Sequence, residues 1–222
     1  EEDILSTVED LFRGRLQNYY DFIHSGYDIQ VLTPTKKGLL GTIHLNEVLQ
    51  GVLNPPSEEK KEKKSGSRIF REGDKVMQLR NNYMMEWKRD GETEKGKGVF
   101  NGDMGRIEGI NPESGRVSVR YDDRVVVYEN EDLMELELAY AITVHKSQGS
   151  EFPAVVMPMT WFPPMLMTRN LLYTAVTRGK NLVVVVGSED RMHAMVDNNR
   201  IDERYTGLEY RLRQIDFGNT IG

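Results

Sequence analysis

The segment AYAITVHKSQGSEF, residues 139–152, sets an apolar lead-in against a dense cluster of hydrogen-bonding side chains wrapped around Gly149. Such side chains need partners. Hydroxyls, amides and backbone N–H groups beside a glycine suit phosphate oxygens, because glycine permits close backbone approach and Thr or Ser donates without carrying charge. A capped helix start with a solvated first turn would use the same residues, since Thr and Ser oxygens accept from the unpaired N–H groups there. Downstream come an apolar run at 154–159, a helical stretch at 169–177 and the valine-rich run 182–186. That last run shows no polar alternation and predicts a strand buried on both faces.

Upstream, VEDLFRGRLQNYYDFI at 8–23 places Leu11, Leu16, Tyr19, Tyr20 and Ile23 at largely helical spacing, with His24, Ser25 and Gly26 as a stop. An apolar run at 29–32, the polar loop TPTKKG at 33–38 and a helical pattern at 42–49 follow. Strand, loop and helix in that order predict an α/β unit with a parallel sheet. NPPSEEKKEKKSGS at 54–67 combines prolines, small residues and dense mixed charge, and reads as a mobile surface loop. Short β-favouring runs then alternate with NGDMG, NPESG and YDD, so the stretch from about 69 to 135 reads as a small antiparallel barrel. The tail predicts a helix at 189–196, and the capping-box pattern Thr206-Gly207-Leu208-Glu209 predicts a final short one. The expected organisation is an α/β domain over 1–68 and 137–222, interrupted by a β insertion over 69–136.

A second informative segment is LLYTAVTRGK, residues 171–180. On a helix, Leu172, Ala175 and Val176 would face the core and leave Arg178 near the C-terminal end. An arginine there can complement the helix dipole. It can equally present its guanidinium fork to a polyphosphate and stabilise transition-state charge.

The 222 residues suffice for one large domain, or for a domain carrying a smaller insertion. No apolar run approaches the roughly 20 residues of a membrane span, and EEDILSTVEDLF has neither the basic nor the apolar region of a secretory signal, so a soluble cytoplasmic protein is expected. Without cysteine there is no disulfide framework and no thiolate metal site, and His24, His44, His145 and His193 lack ligand-like spacing, so no metal is expected on this chain. The net charge of −6 argues against a generally basic surface but allows a local basic groove.

In this order and spacing, TVHKSQGSEF and LLYTAVTRGK resemble motifs V and VI of superfamily 1 DNA helicases of the RecD type, the exodeoxyribonuclease V alpha subunit family. QVLTPTKKGLLGTIHLNEVLQ resembles their motif IV. GDKVMQLRNNY and GVFNGDMGRI resemble the approach to their SH3-like insertion, so the likeness covers nearly the whole chain. It implies a RecA-like parallel-sheet domain interrupted by an SH3-like β-barrel, forming the C-terminal motor half of an ATP-dependent 5′ to 3′ DNA helicase. Arg178 is then the arginine finger that reaches the γ-phosphate, and Gln148, Gly149 and Glu151 couple the nucleotide site to the DNA site. Thr143, His145, Lys146 and Ser147 become candidates for the DNA face. Thr33, Pro34 and Lys37 match motif IV; the first two are expected on DNA and Lys37 at the nucleotide, although a lysine supplies charge without a bidentate fork. Asn81, Tyr83, Phe100 and Asn101 are expected along the single-strand path, with Phe100 or Tyr83 stacking on a base. Ordinary turn and barrel-core chemistry would use the same four residues.

No G-x-x-x-x-G-K-[ST] loop occurs, and the carboxylates of Tyr121-Asp122-Asp123 sit in a turn pattern rather than after a buried strand. ATP and Mg2+ are therefore implied as cofactors of the full-length enzyme, held by a missing N-terminal RecA-like domain, and this chain alone is expected to be inactive as an ATPase. The start at Glu1, with no initiating methionine, fits that expectation. Other implied partners are single-stranded DNA and the subunits of a recombination or exonuclease complex. The alternative is a stand-alone nucleic-acid or protein binding module that keeps the helicase fold. Trp161 to Met165 carry no motif and read as an ordered loop packing its aromatics.

Overall fold

The computed structural model describes residues 1–89 and 95–199. Helix α1 (Glu2–Asp10) leads through a wider turn (Leu11–Arg15) into α2 (Leu16–Tyr19), followed by strand β1 (Ile29–Thr33) and helix α3 (Thr42–Leu53). Next come the hairpin β2 (Glu62–Ser65) and β3 (Arg68–Arg71), then β4 (Lys75–Gln78), β5 (Asn82–Arg89), β6 (Lys95–Val99), β7 (Met104–Ile110), β8 (Val117–Tyr121), β9 (Arg124–Tyr128) and β10 (Leu136–Leu138). The chain continues with β11 (Ala141–Thr143), β12 (Phe152–Met159), α4 (Arg169–Val176), β13 (Gly179–Gly187) and α5 (Glu189–Asp197).

Strands β11, β1, β12 and β13 form a parallel sheet in that order. Successive strand residues point to opposite faces. Ile29, Val31, Ala154 and Val156 therefore pack with Val8 of α1 and Leu45 and Leu49 of α3. Their neighbours Leu32, Val155 and Met157 pack with Leu171, Leu172 and Ala175 of α4 and Met195 of α5. Helices on both faces explain why β1 and β12 are buried almost throughout. The valine-rich run does not share that fate: among the described residues β13 lies at the sheet edge, and of its valines only Val186 is buried. An apolar run reports a tendency to be covered, whereas position in the sheet decides how many neighbours do the covering.

Two further expectations change. The helix predicted over 8–23 begins at Glu2, is broken at Gly14, whose φ of 114° is left-handed, and ends at Tyr19. The segment 54–67 is not without structure: Glu62–Ser65 pairs with Arg68–Arg71, and buried Asn54 accepts from Lys60 Nζ at 2.6 Å. Alternating charges on a solvent-facing hairpin have the same composition as a loop, so composition alone does not separate them.

The second sheet is antiparallel, seven-stranded and ordered β10-β4-β7-β8-β9-β5-β6. NPESG makes the expected turn between β7 and β8, with Asn111 Oδ1 accepting from the N–H groups of Glu113 and Ser114 at 2.9 and 3.0 Å and Gly115 at a φ of 71°. Strand β10 carries this sheet past the boundary expected at 136. The apolar cluster beneath β1 runs on into the barrel through Phe70, Val76 and Ile107.

A buried polar knot fixes the seam between the two sheets. Fully buried Asp74 accepts from Gln50 Nε2 (2.6 Å), Asn54 Nδ2 (2.7 Å), Arg71 N (2.6 Å) and Tyr140 Oη (2.9 Å). Burial raises its pKa, and the hydrogen bonds oppose that shift. Beside it, Lys75 Nζ donates to Tyr27 O at 2.9 Å; burial pushes its pKa down to about 8 while Asp28 pulls the other way. The C-terminal capping-box pattern at Thr206 lies outside the described residues.

Candidate nucleotide cleft and strand track

Helix α4 starts on Thr168, whose Oγ1 accepts from Leu171 N at 3.3 Å. It closes where Thr177 Oγ1 donates to Tyr173 O and Thr174 O at 2.9 and 3.1 Å. Its buried residues are Leu171, Leu172 and Ala175, while Val176, expected in the core, is 41% exposed. One residue past the closing turn, Arg178 is anchored by its backbone: its N–H donates to Ala175 O at 3.1 Å, and its carbonyl accepts from Phe152 N at 2.8 Å at the start of β12. Its guanidinium donates to Thr174 O (3.2 Å), Ser150 O (3.1 Å) and Thr177 Oγ1 (3.3 Å). All three acceptors are neutral. The nearby carboxylate of Glu151 instead faces Lys180 Nζ at 3.5 Å.

Gln148, Gly149, Tyr173, Thr174, Thr177 and Arg178 line one shallow cleft of about 200 Å³. Gly149 has a φ of 86°, and a Cβ built there would meet nothing within 4 Å, so this corner stays open. The cleft brings three predicted residues together, Gln148, Gly149 and Arg178, and leaves out two. Glu151 lies outside its lining, and Lys37 lines a separate crevice beside Trp161. Lys37 therefore does not meet Arg178. Thr174 and Thr177 were missed by sequence reading, although their spacing places both on the helix face that ends at Arg178.

The predicted DNA-face residues separate into two groups. Thr33 and Ser147 are fully buried, and their hydroxyls donate to Leu40 O and Val144 O, both at 2.7 Å. Each closes a local loop and offers no side chain to a strand, which corrects the expectation for both. Pro34 is buried and Thr143 half-buried, while His145 is exposed. Lys146 and the barrel residues, by contrast, form one surface. Lys146 Nζ donates to Asn101 Oδ1 at 3.3 Å, Asn101 N to Asn81 Oδ1 at 2.9 Å, and Asn81 Nδ2 to Tyr83 Oη at 3.3 Å. The Tyr83 and Phe100 rings meet edge to face at 5.8 Å and are 66% and 41% exposed. Burial lowers the Lys146 pKa, Glu137 opposes the shift, and Lys36 adds to it. Among the described residues, no group of three or more His, Asp or Glu could hold a metal ion, and no helix is long and apolar enough to cross a membrane.

The structure thus joins a parallel sheet, with an arginine beside a glycine corner, to an antiparallel module bearing exposed aromatics. The chain matches the family model of the ATP-dependent RecD-like DNA helicase SH3 domain over residues 45–121 and that of the UvrD-like helicase C-terminal domain over 138–186. It is 35% identical over 189 residues to the ATP-dependent RecD2 DNA helicase of Deinococcus radiodurans, covering 83% of this chain and 23% of that protein. Over 120 residues it is 37% identical to the RecBCD enzyme subunit RecD of Mycobacterium tuberculosis, covering 54% of this chain and 20% of that one. A structure of two coordinating Pif1 helicases at forked double-stranded DNA shares the fold, with a TM-score of 0.50 and 18% identity over 86% of this chain and 45% of that chain. The chain is a RecD-like helicase C-terminal region. It spans less than a quarter of the length of these curated relatives.

Proposed function

We propose that this chain is the C-terminal motor half of a cytoplasmic ATP-dependent 5′ to 3′ DNA helicase, supplying the arginine finger and part of the single-strand track. The observation that carries the reading is the meeting of Arg178 with Gln148 and Gly149 in one open cleft, where, among the described residues, the guanidinium bonds neutral oxygens. A cation with neutral partners keeps its charge available to an anion, and a guanidinium fork matches phosphate oxygens. Backbone anchoring at both Arg178 N and O holds the side chain in place. In this reading Arg178 faces the γ-phosphate of ATP, and Gln148 links that site to Lys146 two residues earlier.

ATP supplies the phosphoryl group whose transfer powers movement; its cradle and Mg2+ are held by an N-terminal RecA-like domain outside this chain. The β insertion interrupts the parallel-sheet domain from about 69 to 138, where β10 ends, and partners from a recombination or exonuclease complex bind the assembled enzyme. Tyr83 and Phe100 offer exposed rings to bases while Lys146 and Asn101 hold the backbone. The test is ATP turnover by the whole protein carrying Arg178→Ala. A fall on the order of 10³-fold is expected for loss of an arginine finger; turnover at the unaltered rate would overturn the assignment.

A further inference from the structure

Between the 34–40 loop that follows β1 and the loop that follows β12 lies a crevice of about 570 Å³ that the arginine cleft does not use. β1 and β12 are parallel neighbours, so the crevice opens outside their carboxyl ends, the end of an α/β sheet at which ligands bind. One wall carries Lys36 and Lys37, both exposed. The other carries Trp161, 64% exposed above buried Phe162. With 64% of its surface exposed, the indole gains only a minor part of its burial from the fold.

The ring is nevertheless held. The Arg191 guanidinium of α5 stands 3.5 Å from its centroid, and Arg191 is not part of the crevice lining. Arg191 thus braces the indole with a cation, and Trp161 shares the crevice with both lysines. An aromatic face opposite two ammonium groups matches a nucleotide unit of a single strand, the base on the ring and the phosphates on the lysines. The crevice also adjoins the surface already described. β1 ends at Thr33 in register with Thr143 at the end of parallel β11, so the loops carrying Lys36 and Lys146 leave neighbouring strand ends, and Lys146 bonds Asn101 beside Tyr83 and Phe100.

We propose that Trp161, clamped by Arg191, is a second base-stacking station for single-stranded nucleic acid, with Lys36 and Lys37 on its phosphates and Lys146 between it and the Tyr83–Phe100 pair. This rests on the reading of the chain as part of a single-strand track. It also moves Lys37 from the nucleotide to the strand.

The test is photo-crosslinking of the whole protein to single-stranded oligonucleotides carrying one iodouracil stepped along the sequence, with the modified residues mapped by mass spectrometry. Some probe positions should label Trp161 and others Tyr83 or Phe100. In parallel, Trp161→Ala should weaken oligonucleotide binding by about 10-fold, the loss of one base–aromatic stack, and Trp161→Phe should retain most of the affinity. Labelling of Tyr83 or Phe100 without Trp161, with Trp161→Ala binding normally while Tyr83→Ala binds weakly, would overturn this proposal and leave the track reading standing. No labelling at either place and no effect of either variant would overturn both. Capture of a peptide by the crevice in a protein that labels only Tyr83 and Phe100 would also count against it.

Discussion

The arginine cleft and the Tyr83–Lys146 surface are built in opposite ways. The cleft draws on residues 148–178, all within the parallel-sheet part of the chain, and its key residue is pinned through its backbone N–H and carbonyl and through its guanidinium. The proposed strand surface joins two modules, bridged by the Lys146–Asn101 bond of 3.3 Å between residues 45 apart in sequence. The cleft therefore keeps its shape as long as β12 and α4 are folded. The proposed track keeps its shape only if the barrel is held against the parallel sheet, to which the knot at Asp74 and the shared apolar cluster both contribute.

The comparison can be broken at several points. The largest effect is expected at Arg178: its replacement by Ala should reduce ATP turnover in the whole protein on the order of 10³-fold. Next is the seam. Asp74→Ala removes the acceptor of Tyr140 Oη and Arg71 N and one of the two acceptors of Gln50 Nε2 and of Asn54 Nδ2, which keep Ile69 O and Glu72 O, and should lower unfolding free energy by about 2–4 kcal/mol in denaturant titration. If the seam serves the track more than the cleft, the folded variant should lose strand affinity by a larger factor than it loses nucleotide affinity. Equal losses would dissolve the distinction.

Smaller effects follow on the strand side. Tyr83→Ala or Phe100→Ala should each weaken single-strand binding by about 1–3 kcal/mol. Lys146→Ala should cost less, spread evenly over sequences, and reduce the slope of log affinity against log salt by about 0.7. The smallest effect concerns Lys75. Its folded pKa of about 8 lies below the ordinary 10.5, so between these values the unfolded chain binds a proton that the folded chain lacks. The Lys75 contribution to stability therefore rises with pH across that window and is flat below it. Thermal unfolding of wild type against Lys75→Met from pH 7 to pH 10 should show the wild type gaining ground as pH rises, and parallel curves would refute the assignment.

What was legible in the sequence followed from local physics. The strand–loop–helix order around Thr33, the NPESG turn and the end of α4 before Arg178 depend on residues close in the chain, and all three are found. The parts missed depend on what lies across the fold. The apolar run 182–186 could not report that, among the described residues, β13 has a neighbour on one side only. Thr33 and Ser147 are polar and stand in polar motifs, but each spends its hydroxyl on a nearby carbonyl. Lys37 and Arg178 both carry charge suited to phosphate, and only tertiary structure places them in different crevices. The pairing of Lys146 with Asn101, the feature that joins motif and barrel, leaves no trace in either segment alone.

The separation of the two surfaces can be tested in one experiment on the whole protein carrying Arg178→Ala, with ATP turnover and single-strand affinity measured in the same preparation. The account predicts turnover reduced on the order of 10³-fold with strand affinity unchanged. Normal turnover, or a loss of strand affinity as large as the loss of turnover, would contradict it.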